Sequence, residues 1–368
     1  MAKMLTAQGL EVGVYSFETS GHMSEPPVPV YCAPAQGNLS NPSNLASLCD
    51  TLQAFSPAVV VNQMPYEHAI TETVAASCNA ARIGCLRNTL YSVRNNLEWY
   101  ASRLLPSPLV QFAKNPLARS ALLGLHRRRH ARDLRRILSD YDRFVMFAEP
   151  NLDELEYFVP DYDPQKIALI PNSIERVAEH VPKKSKRILW LGRVSAHQKR
   201  ADLILPLWHE LSEALPDWTL DVVGDGPLRQ FLEEQARVEG VPRVVFHGRQ
   251  PSQPFFERAA IYLMTSDFEG FPNTLVEAQA QGAVPVAFDT YPMARWLVRS
   301  GDNGVLVPAQ SYGEMVSRVI RVARSEEDLN TLARGALASA AAFSFDEVAV
   351  AWRLLLDDVI GLRGLKRG

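Results

Sequence analysis

Short apolar segments alternate with longer amphipathic segments through the second half of this 368-residue chain. The apolar segments are predicted strands, at 187–191, 220–223, 244–247, 261–264, 284–287 and 304–307. The segments between them have helical periodicity, at 201–215, 227–239, 275–281, 293–298 and 312–324. Apolar strands separated by helices of this length indicate a parallel sheet that is covered on both faces. Ligands of such sheets bind beyond the carboxyl ends of the strands.

The first half alternates in the same way but less regularly. Its predicted strands lie at 12–17, 28–32, 58–62, 82–86, 143–147 and 167–170. The chain is longer than the ~250–300 residues at which a single core stops growing, which favours two domains. We predict an N-terminal domain, a polar linker, a C-terminal domain and a last helical segment, at 1–174, 175–186, 187–342 and 343–368.

Composition is that of an ordinary globular protein and argues against several classes. Apolar residues make up 47% of the chain, and the net charge of −3 gives no overall attraction to nucleic acid. We find neither the ~18-residue apolar run of a membrane-spanning helix nor a signal peptide. The four cysteines lack metal-ligand spacing, and we expect reduced thiols in a cytoplasmic protein.

The segment from Glu269 to Gly282 carries two carboxylates eight residues apart, at a predicted strand-to-helix turn. Such a turn collects backbone N–H groups and positive dipole density, which suits a phosphate. A carboxylate at Glu269 can accept hydrogen bonds from sugar hydroxyls, and one at Glu277, about two turns further, can hold a ribose. Thr274 and Glu277 also have the spacing of a capping box, which explains Glu277 about as well. The segment alone leaves both interpretations open.

Basic residues follow the first strand of the second half. Gly192 and Arg193 come directly after the strand 187–191, and Lys199 lies six residues further on. Fixed arginine and lysine side chains can stabilise negative charge on an anionic group without a metal. A solvated basic loop is the alternative. Further glycine turns at 224–227 and 247–249 also follow strands, and we predict that the first packs strand against helix and that His247 is structural.

These motifs, in this order, resemble the E-x7-E signature and the Gly-Arg…Lys pair of family-4 glycosyltransferases. The resemblance implies an α/β fold of the GT-B type, with two Rossmann-like doubly wound domains facing a central cleft. In that family the last helix returns to the N-terminal domain. The implied activity is retaining transfer of a hexose from a nucleotide-diphosphate sugar, by family frequency a UDP-sugar, to a glycan or lipid-linked acceptor. The implied pathway is cell-surface polysaccharide synthesis, such as lipopolysaccharide or capsule.

The resemblance also implies roles for individual residues. The predicted catalytic residues are Glu269, which orients the sugar hydroxyls, and Arg193 and Lys199, which grip the diphosphate. Glu277 would fix the ribose, and the other predicted donor-binding residues are Gly270, Phe271, Asn273, Thr274, Leu275, Gly192 and Arg249. The nucleotide sugar is a co-substrate, and we expect no tightly bound cofactor and no essential metal. Arg200 stands where the family often has glycine, and 171–174 resembles its hinge segment.

The first half departs from the family pattern in two places. Residues 1–15 resemble the end of the family's first helix and its second strand, so the N-terminal domain is predicted to lack its first strand, through truncation. After the strand 82–86, Arg87 and Asn88 stand where relatives often have a His-Asn pair near the acceptor. Arginine there favours charge recognition over proton transfer. The competing hypothesis is a truncated nucleotide-sugar-binding remnant or a non-catalytic subunit; an epimerase on the same scaffold ranks lower.

Residues 101–140 carry nine Lys and Arg against two acidic residues, concentrated at 126–136. The simpler interpretation is an exposed basic face on a long helix. The functional alternative is attachment of 119–136 to an anionic membrane surface, at the inner face of the cytoplasmic membrane. Nucleic-acid binding is disfavoured, since the chain has no reader motif.

Overall fold

The computed structural model describes residues 1–17, 28–35, 37–104 and 115–364, without the side chains of 103 and 104. The chain forms two compact units. The first comprises Met1–Ser173 together with Phe345–Gly368, and the second comprises Ile174–Ser344. The chain therefore enters the second unit within the predicted hinge segment 171–174, and its last helix is part of the first unit.

The first unit contains two parallel sheets. Strands β1 and β2 pair with each other, and the other four form a sheet in the order β3-β4-β5-β6. The strands are β1 Val14–Ser16, β2 Val30–Cys32, β3 Val59–Asn62, β4 Ala81–Cys85, β5 Arg143–Met146 and β6 Ile167–Leu169. Among the described residues, no strand pairs with β3 on the side away from β4. The absence of a first strand from the N-terminal domain stays a prediction.

The first unit has helices before, between and after its strands. They are α1 Ala2–Ala7, α2 Pro42–Phe55, α3 His68–Ser77, α4 Ser92–Asn95, α5 Leu97–Leu104, α6 Pro116–Asp140, α7 Pro150–Phe158 and, at the end of the chain, Phe345–Leu362. The last helix buries Trp352 and Val359 in one core cluster with Met4 and Ile83. A separate cluster unites α2 and α3 through Leu48, Leu52, Ile70 and Val74. None of the helices in the described ranges combines the length and the apolar character needed to cross a bilayer.

The second unit is one six-stranded parallel sheet with helices on both faces. Its strands are β7 Ser185–Leu191, β8 Thr219–Val223, β9 Val244–Gly248, β10 Ala259–Met264, β11 Val284–Asp289 and β12 Val305–Pro308. Their order is β12-β11-β10-β7-β8-β9. Strands β8 and β9 are added on one side of β7. The chain then returns to the other side of β7 with β10, and β11 and β12 continue outward from there. The switch point of this sheet therefore lies between β7 and β10, which is where open α/β sheets bind ligands.

Five helices of the second unit correspond to predicted helical segments, and two more, at 253–258 and 326–340, were not predicted. They are α8 Ile204–Ala214, α9 Arg229–Val238, α10 Gln253–Arg258, α11 Asn273–Ala280, α12 Pro292–Leu297, α13 Tyr312–Arg324 and α14 Glu326–Ala340; the last helix of the chain, Phe345–Leu362, is α15. In α13, Met315, Val319 and Val322 recur at helical spacing and are buried. The prediction that Pro227 starts a helix was wrong, because α9 begins two residues later, after a turn.

Candidate active site

The loops after β7 and β8 lie directly against each other. The Gly192 N–H donates to the Val223 carbonyl at 3.1 Å. Gly224 has φ of +133°, and a Cβ there would lie 1.9 Å from the Gly192 oxygen. A Cβ at Gly226 would lie 2.5 Å from the Val194 oxygen. Only glycine fits these positions. The turn at 224–227 therefore packs closely against the backbone of the loop that carries Arg193 and Lys199.

Lys199 and Glu269 form a largely buried ion pair at the switch point. Lys199 Nζ lies 2.7 Å from Glu269 Oε1, and the two side chains are 17% and 9% exposed. Gln198 Nε2 donates to the other carboxylate oxygen, Oε2, at 3.0 Å. The two charged residues are 70 positions apart in the chain. They meet because Lys199 follows β7, Glu269 follows β10, and these strands are neighbours in the sheet.

Backbone and side-chain hydrogen bonds lock the Lys199 loop to the Glu269 segment. The Asp267 N–H donates to the Gln198 carbonyl at 2.9 Å, and Gln198 Nε2 donates to the Phe268 carbonyl at 3.2 Å. The Thr265 hydroxyl donates to the Lys199 carbonyl at 2.7 Å and accepts from Trp190 Nε1 at 2.8 Å. Sequence reasoning missed Gln198, Thr265 and Asp267. Their only signal was that polar residues stand at the end of an apolar strand or beside a motif.

Arg200 adopts a left-handed backbone conformation, with φ of 51° and ψ of 47°. Glycine adopts this conformation without an energetic penalty, whereas for a residue with a Cβ it costs roughly 1–2 kcal/mol of conformational free energy. The loop therefore keeps a glycine-like turn even though the side chain is arginine.

The helix α11 begins at Asn273, with Pro272 as its N-cap and no side-chain cap. The capping-box hypothesis for Thr274 and Glu277 is therefore wrong. The Thr274 hydroxyl accepts instead from the Tyr262 hydroxyl at 2.7 Å, across to β10. Since the helix begins at Asn273, Thr274 lies in its first turn and is not the N-cap.

Glu277 faces a partly enclosed position on α11. Its Oε2 lies 3.4 Å from the Ser252 hydroxyl, which donates to it. Burial raises the pKa of Glu277 above 4.5, and the Ser252 hydrogen bond opposes that change. A partly buried carboxylate with one weak donor retains capacity to accept further hydrogen bonds. This fits the predicted contact with ribose hydroxyls, which stays a prediction.

The other predicted donor-site residues divide into a buried and an exposed group. Gly270, Phe271 and Leu275 are buried around the start of α11, whereas Asn273 is exposed. Arg193 and Arg249 are exposed, and in the described part of the chain their side chains make no ion pair. The structure thus brings Lys199 and Glu269 together, and Arg193 is exposed on the same loop as Lys199. His247 is a partner of buried Asp221, at 2.7 Å, as a structural residue would be.

The weakly predicted acceptor residues lie in the first unit, at the end of β4. Arg87 and Asn88 are both exposed. The loop they begin is held by Glu154, whose carboxylate accepts from the Thr89 hydroxyl at 2.7 Å and the Leu90 N–H at 2.6 Å. Burial raises the pKa of Glu154. Sequence reasoning missed Glu154, since a glutamate within an amphipathic helix carries no motif.

The second unit matches a known enzyme family. Residues 185–325 match the family model described as Glycosyl transferases group 1. An uncharacterized glycosyltransferase of Haemophilus influenzae is 32% identical over 148 residues, which is 40% of this chain and 42% of that protein. A lipopolysaccharide 1,6-galactosyltransferase of Salmonella typhimurium is 30% identical over 165 residues, 42% of this chain and 45% of that protein. The chain spans about half the length of these curated relatives.

Solved structures share the fold over most of the chain. Sucrose-phosphate synthase from Thermosynechococcus elongatus has a TM-score of 0.72 at 16% identity and covers 98% of this chain and 92% of that one. The pneumococcal O-GlcNAc transferase in complex with UDP and GlcNAc has a TM-score of 0.65 at 17% identity. The match covers 86% of this chain and 60% of that one. The predicted α/β fold of the GT-B type and the resemblance to glycosyltransferases are confirmed. Membership of family 4 stays a prediction.

Proposed function

We propose that the protein is a retaining glycosyltransferase that moves a hexose from a UDP-sugar to a glycan or lipid-linked acceptor in cell-surface polysaccharide synthesis. The observation that carries this proposal is the Lys199–Glu269 pair at the switch point of a six-stranded parallel sheet. Two relatives support the pathway by name, the galactosyltransferase of Salmonella typhimurium and an amylovoran biosynthesis glycosyltransferase of Erwinia amylovora. The solved pneumococcal enzyme supports UDP as the nucleotide.

The chemistry follows from the charges at the site. As the bond between the sugar and the diphosphate breaks, negative charge collects on the leaving phosphate, and Arg193 and Lys199 stabilise it. The Lys199 ammonium has three N–H donors, so it can hold Glu269 and a phosphate oxygen together. The acceptor oxygen bonds to the same face of the sugar carbon, and its proton passes to the leaving phosphate oxygen. The proposal includes no resident metal, because these cations supply the positive charge.

Glu269 and Glu277 would hold the two ends of the donor. Glu269 accepts hydrogen bonds from hydroxyls of the transferred sugar, with Gln198 fixing its second oxygen. Glu277 accepts from the ribose; it lies eight residues after Glu269, about one turn into α11. A carboxylate that binds hydroxyls in a partly buried site discriminates well, since a sugar without the hydroxyl leaves it unpaired.

A thermal-shift panel with UDP, GDP, ADP and their common sugars tests the donor site. We expect UDP and one UDP-sugar to raise the melting temperature, because a ligand at a hundredfold excess over its Kd adds about 2.7 kcal/mol to the free energy of unfolding. Lys199→Met should abolish most of the shift. The matched control is Lys186→Met, since Lys186 is 63% exposed on the same unit. A cooperative transition that no nucleotide moves would contradict the proposal.

We further propose that one face of α6 attaches the enzyme to an anionic membrane. Leu125, Arg128, Arg129 and Arg132 are exposed and are spaced by three, four and seven residues, so they share a face. The three arginines make no ion pair among the described residues. Leu125 is 67% exposed, and Leu117, eight residues earlier in α6, is 83% exposed. Exposed leucine among unpaired arginines suits the headgroup region of an anionic bilayer.

Charge reversal at Arg128, Arg129 and Arg132 tests this attachment. We expect the triple change to glutamate to weaken binding to vesicles containing phosphatidylglycerol at least about 100-fold, because each cation contributes about 1 kcal/mol at such a surface. The charge-matched control reverses Arg237, Arg321 and Arg334, which are exposed on the second unit. Equal vesicle binding by both triple variants would refute this role for α6.

A further inference from the structure

Arg200 links the Lys199 loop to the Glu269 segment through its side chain. Its Nη1 lies 3.4 Å from both carboxylate oxygens of Asp267. Its Nε and Nη2 donate to Asp202 at 3.1 and 3.0 Å, and Nη2 lies 3.5 Å from the Tyr312 hydroxyl. Only 20% of the Arg200 side chain is exposed. The guanidinium is therefore held between two carboxylates and not aimed at solvent.

The backbone around Arg200 is attached to the same segment. The Thr265 hydroxyl lies 2.7 Å from the Lys199 carbonyl and 3.3 Å from that of Arg200. The Asp267 N–H donates to the Gln198 carbonyl. The backbone carbonyls of residues 198–200 thus accept hydrogen bonds from the segment 265–269. The arginine side chain adds a hydrogen-bonded contact with Asp267. That residue lies two positions before Glu269.

Electrostatics favour a link over a direct contact with the donor. Two carboxylates, those of Asp202 and Asp267, already face the Arg200 guanidinium, which leaves little net positive charge for a diphosphate. Hydrogen bonds with Asp202 raise the pKa of Arg200 further above its usual value. Burial raises the pKa of Asp267, and Arg200 opposes that rise. Without the arginine, Asp267 would lose the side-chain hydrogen bonds that hold its carboxylate next to the Lys199 loop.

We propose that Arg200 is a positioning residue that sets the Lys199–Glu269 pair by anchoring Asp267. It stands in a glycine-like backbone conformation, so the side chain is retained there at a conformational cost that a glycine would avoid. The inference rests on the proposed function and deepens it, since it adds a residue that acts through Glu269 without contacting the donor.

Kinetics of Arg200→Gly, Asp267→Asn and the double variant test the proposal. Glycine keeps the left-handed turn and removes the whole arginine side chain, guanidinium included. We expect each single variant to lower kcat about 10- to 100-fold, because small misplacement of a reacting group is costly, while the donor KM changes less than about threefold. The double variant should be no worse than either single one, since both remove the same link. Arg237→Ala, on the exposed face of α9, is the control with unchanged kcat.

Amide hydrogen exchange provides a readout that does not depend on activity. Without Arg200 we expect the Asp267 amide, which bonds Gln198, to exchange about tenfold faster, and Arg237→Ala to leave it unchanged. A purely structural ion pair would lower the melting temperature without changing kcat, and a direct phosphate contact would raise KM in Arg200→Gly but not in Asp267→Asn. Either result, or unchanged exchange, overturns the proposal. If the wild-type protein neither binds nucleotides nor transfers sugar, the proposed function fails, and exchange still decides the Arg200 link.

Discussion

Replacing Glu269 by alanine is expected to lower kcat about 100- to 1000-fold, the usual cost of losing a group that stabilises the transition state. Among the described residues, Glu269 is the only carboxylate that forms an ion pair with Lys199, at 2.7 Å. In the proposed mechanism it also accepts hydrogen bonds from the sugar hydroxyls. Nucleotide affinity should be retained or increase, because the freed Lys199 ammonium then serves the diphosphate alone. Steady-state kinetics and calorimetric UDP titration measure the two effects separately.

Two further variants make the Glu269 result interpretable. Glu269→Gln keeps the shape and the hydrogen-bonding oxygen but loses the charge, so we expect an intermediate kcat. Glu234→Ala is the matched control, since Glu234 is an exposed ion-pair partner on α9. Unchanged turnover in Glu269→Ala would refute the role assigned to this carboxylate. Wild-type protein that binds UDP without any turnover would instead favour the non-catalytic alternative.

Replacing Gly224 by alanine is expected to lower the free energy of unfolding by about 3–5 kcal/mol, at the upper end of single substitutions. The new Cβ would lie 1.9 Å from the Gly192 oxygen, at a φ of +133° that other residues rarely adopt. Neither backbone segment can move alone, because the Gly224 N–H donates to the Gly248 carbonyl at 2.8 Å while Gly192 bonds Val223. Urea unfolding of the purified variant measures the loss.

Gly313→Ala is the control for the Gly224 substitution. Gly313 lies in α13 of the same unit, and a Cβ there meets nothing within 4 Å. Alanine is a better helix former than glycine, so we expect stability to be unchanged or to rise by up to about 1 kcal/mol. Equal stability of the two alanine variants would show that the packing of the loops after β7 and β8 does not depend on Gly224.

The strands and several helices could be predicted from the sequence because their signal is local. Every predicted strand is present, with ends within two residues, since a run of apolar residues between turn residues has few other uses. The starts of α9 and α11 were less predictable. Thr274 looked like an N-cap because its spacing to Glu277 fits one, but its hydroxyl bonds Tyr262, twelve residues earlier.

The candidate site was predicted in part. Lys199 and Glu269 were expected at one site, and the structure joins them directly. Gln198, Thr265 and Asp267 were not expected, because an amide, a hydroxyl and a carboxylate outside a motif have many roles in proteins. Their role depends on the partner that the fold supplies, and no spacing in the sequence specifies that partner.

The sequence by itself determined the local geometry: apolar periodicity placed the strands and helices, and the glycines at 224 and 226 permitted the close approach of two loops. Only the tertiary structure decided which charged groups meet. Lys199 and Glu269 lie 70 residues apart, and they pair because β10 crosses to lie beside β7 at the switch point. The same holds for Arg200. The sequence gives its residue type, but its hydrogen bonds with Asp267 form only once the strands are in this order. Local patterns act over a few residues, whereas strand order is set by burial of the whole sheet.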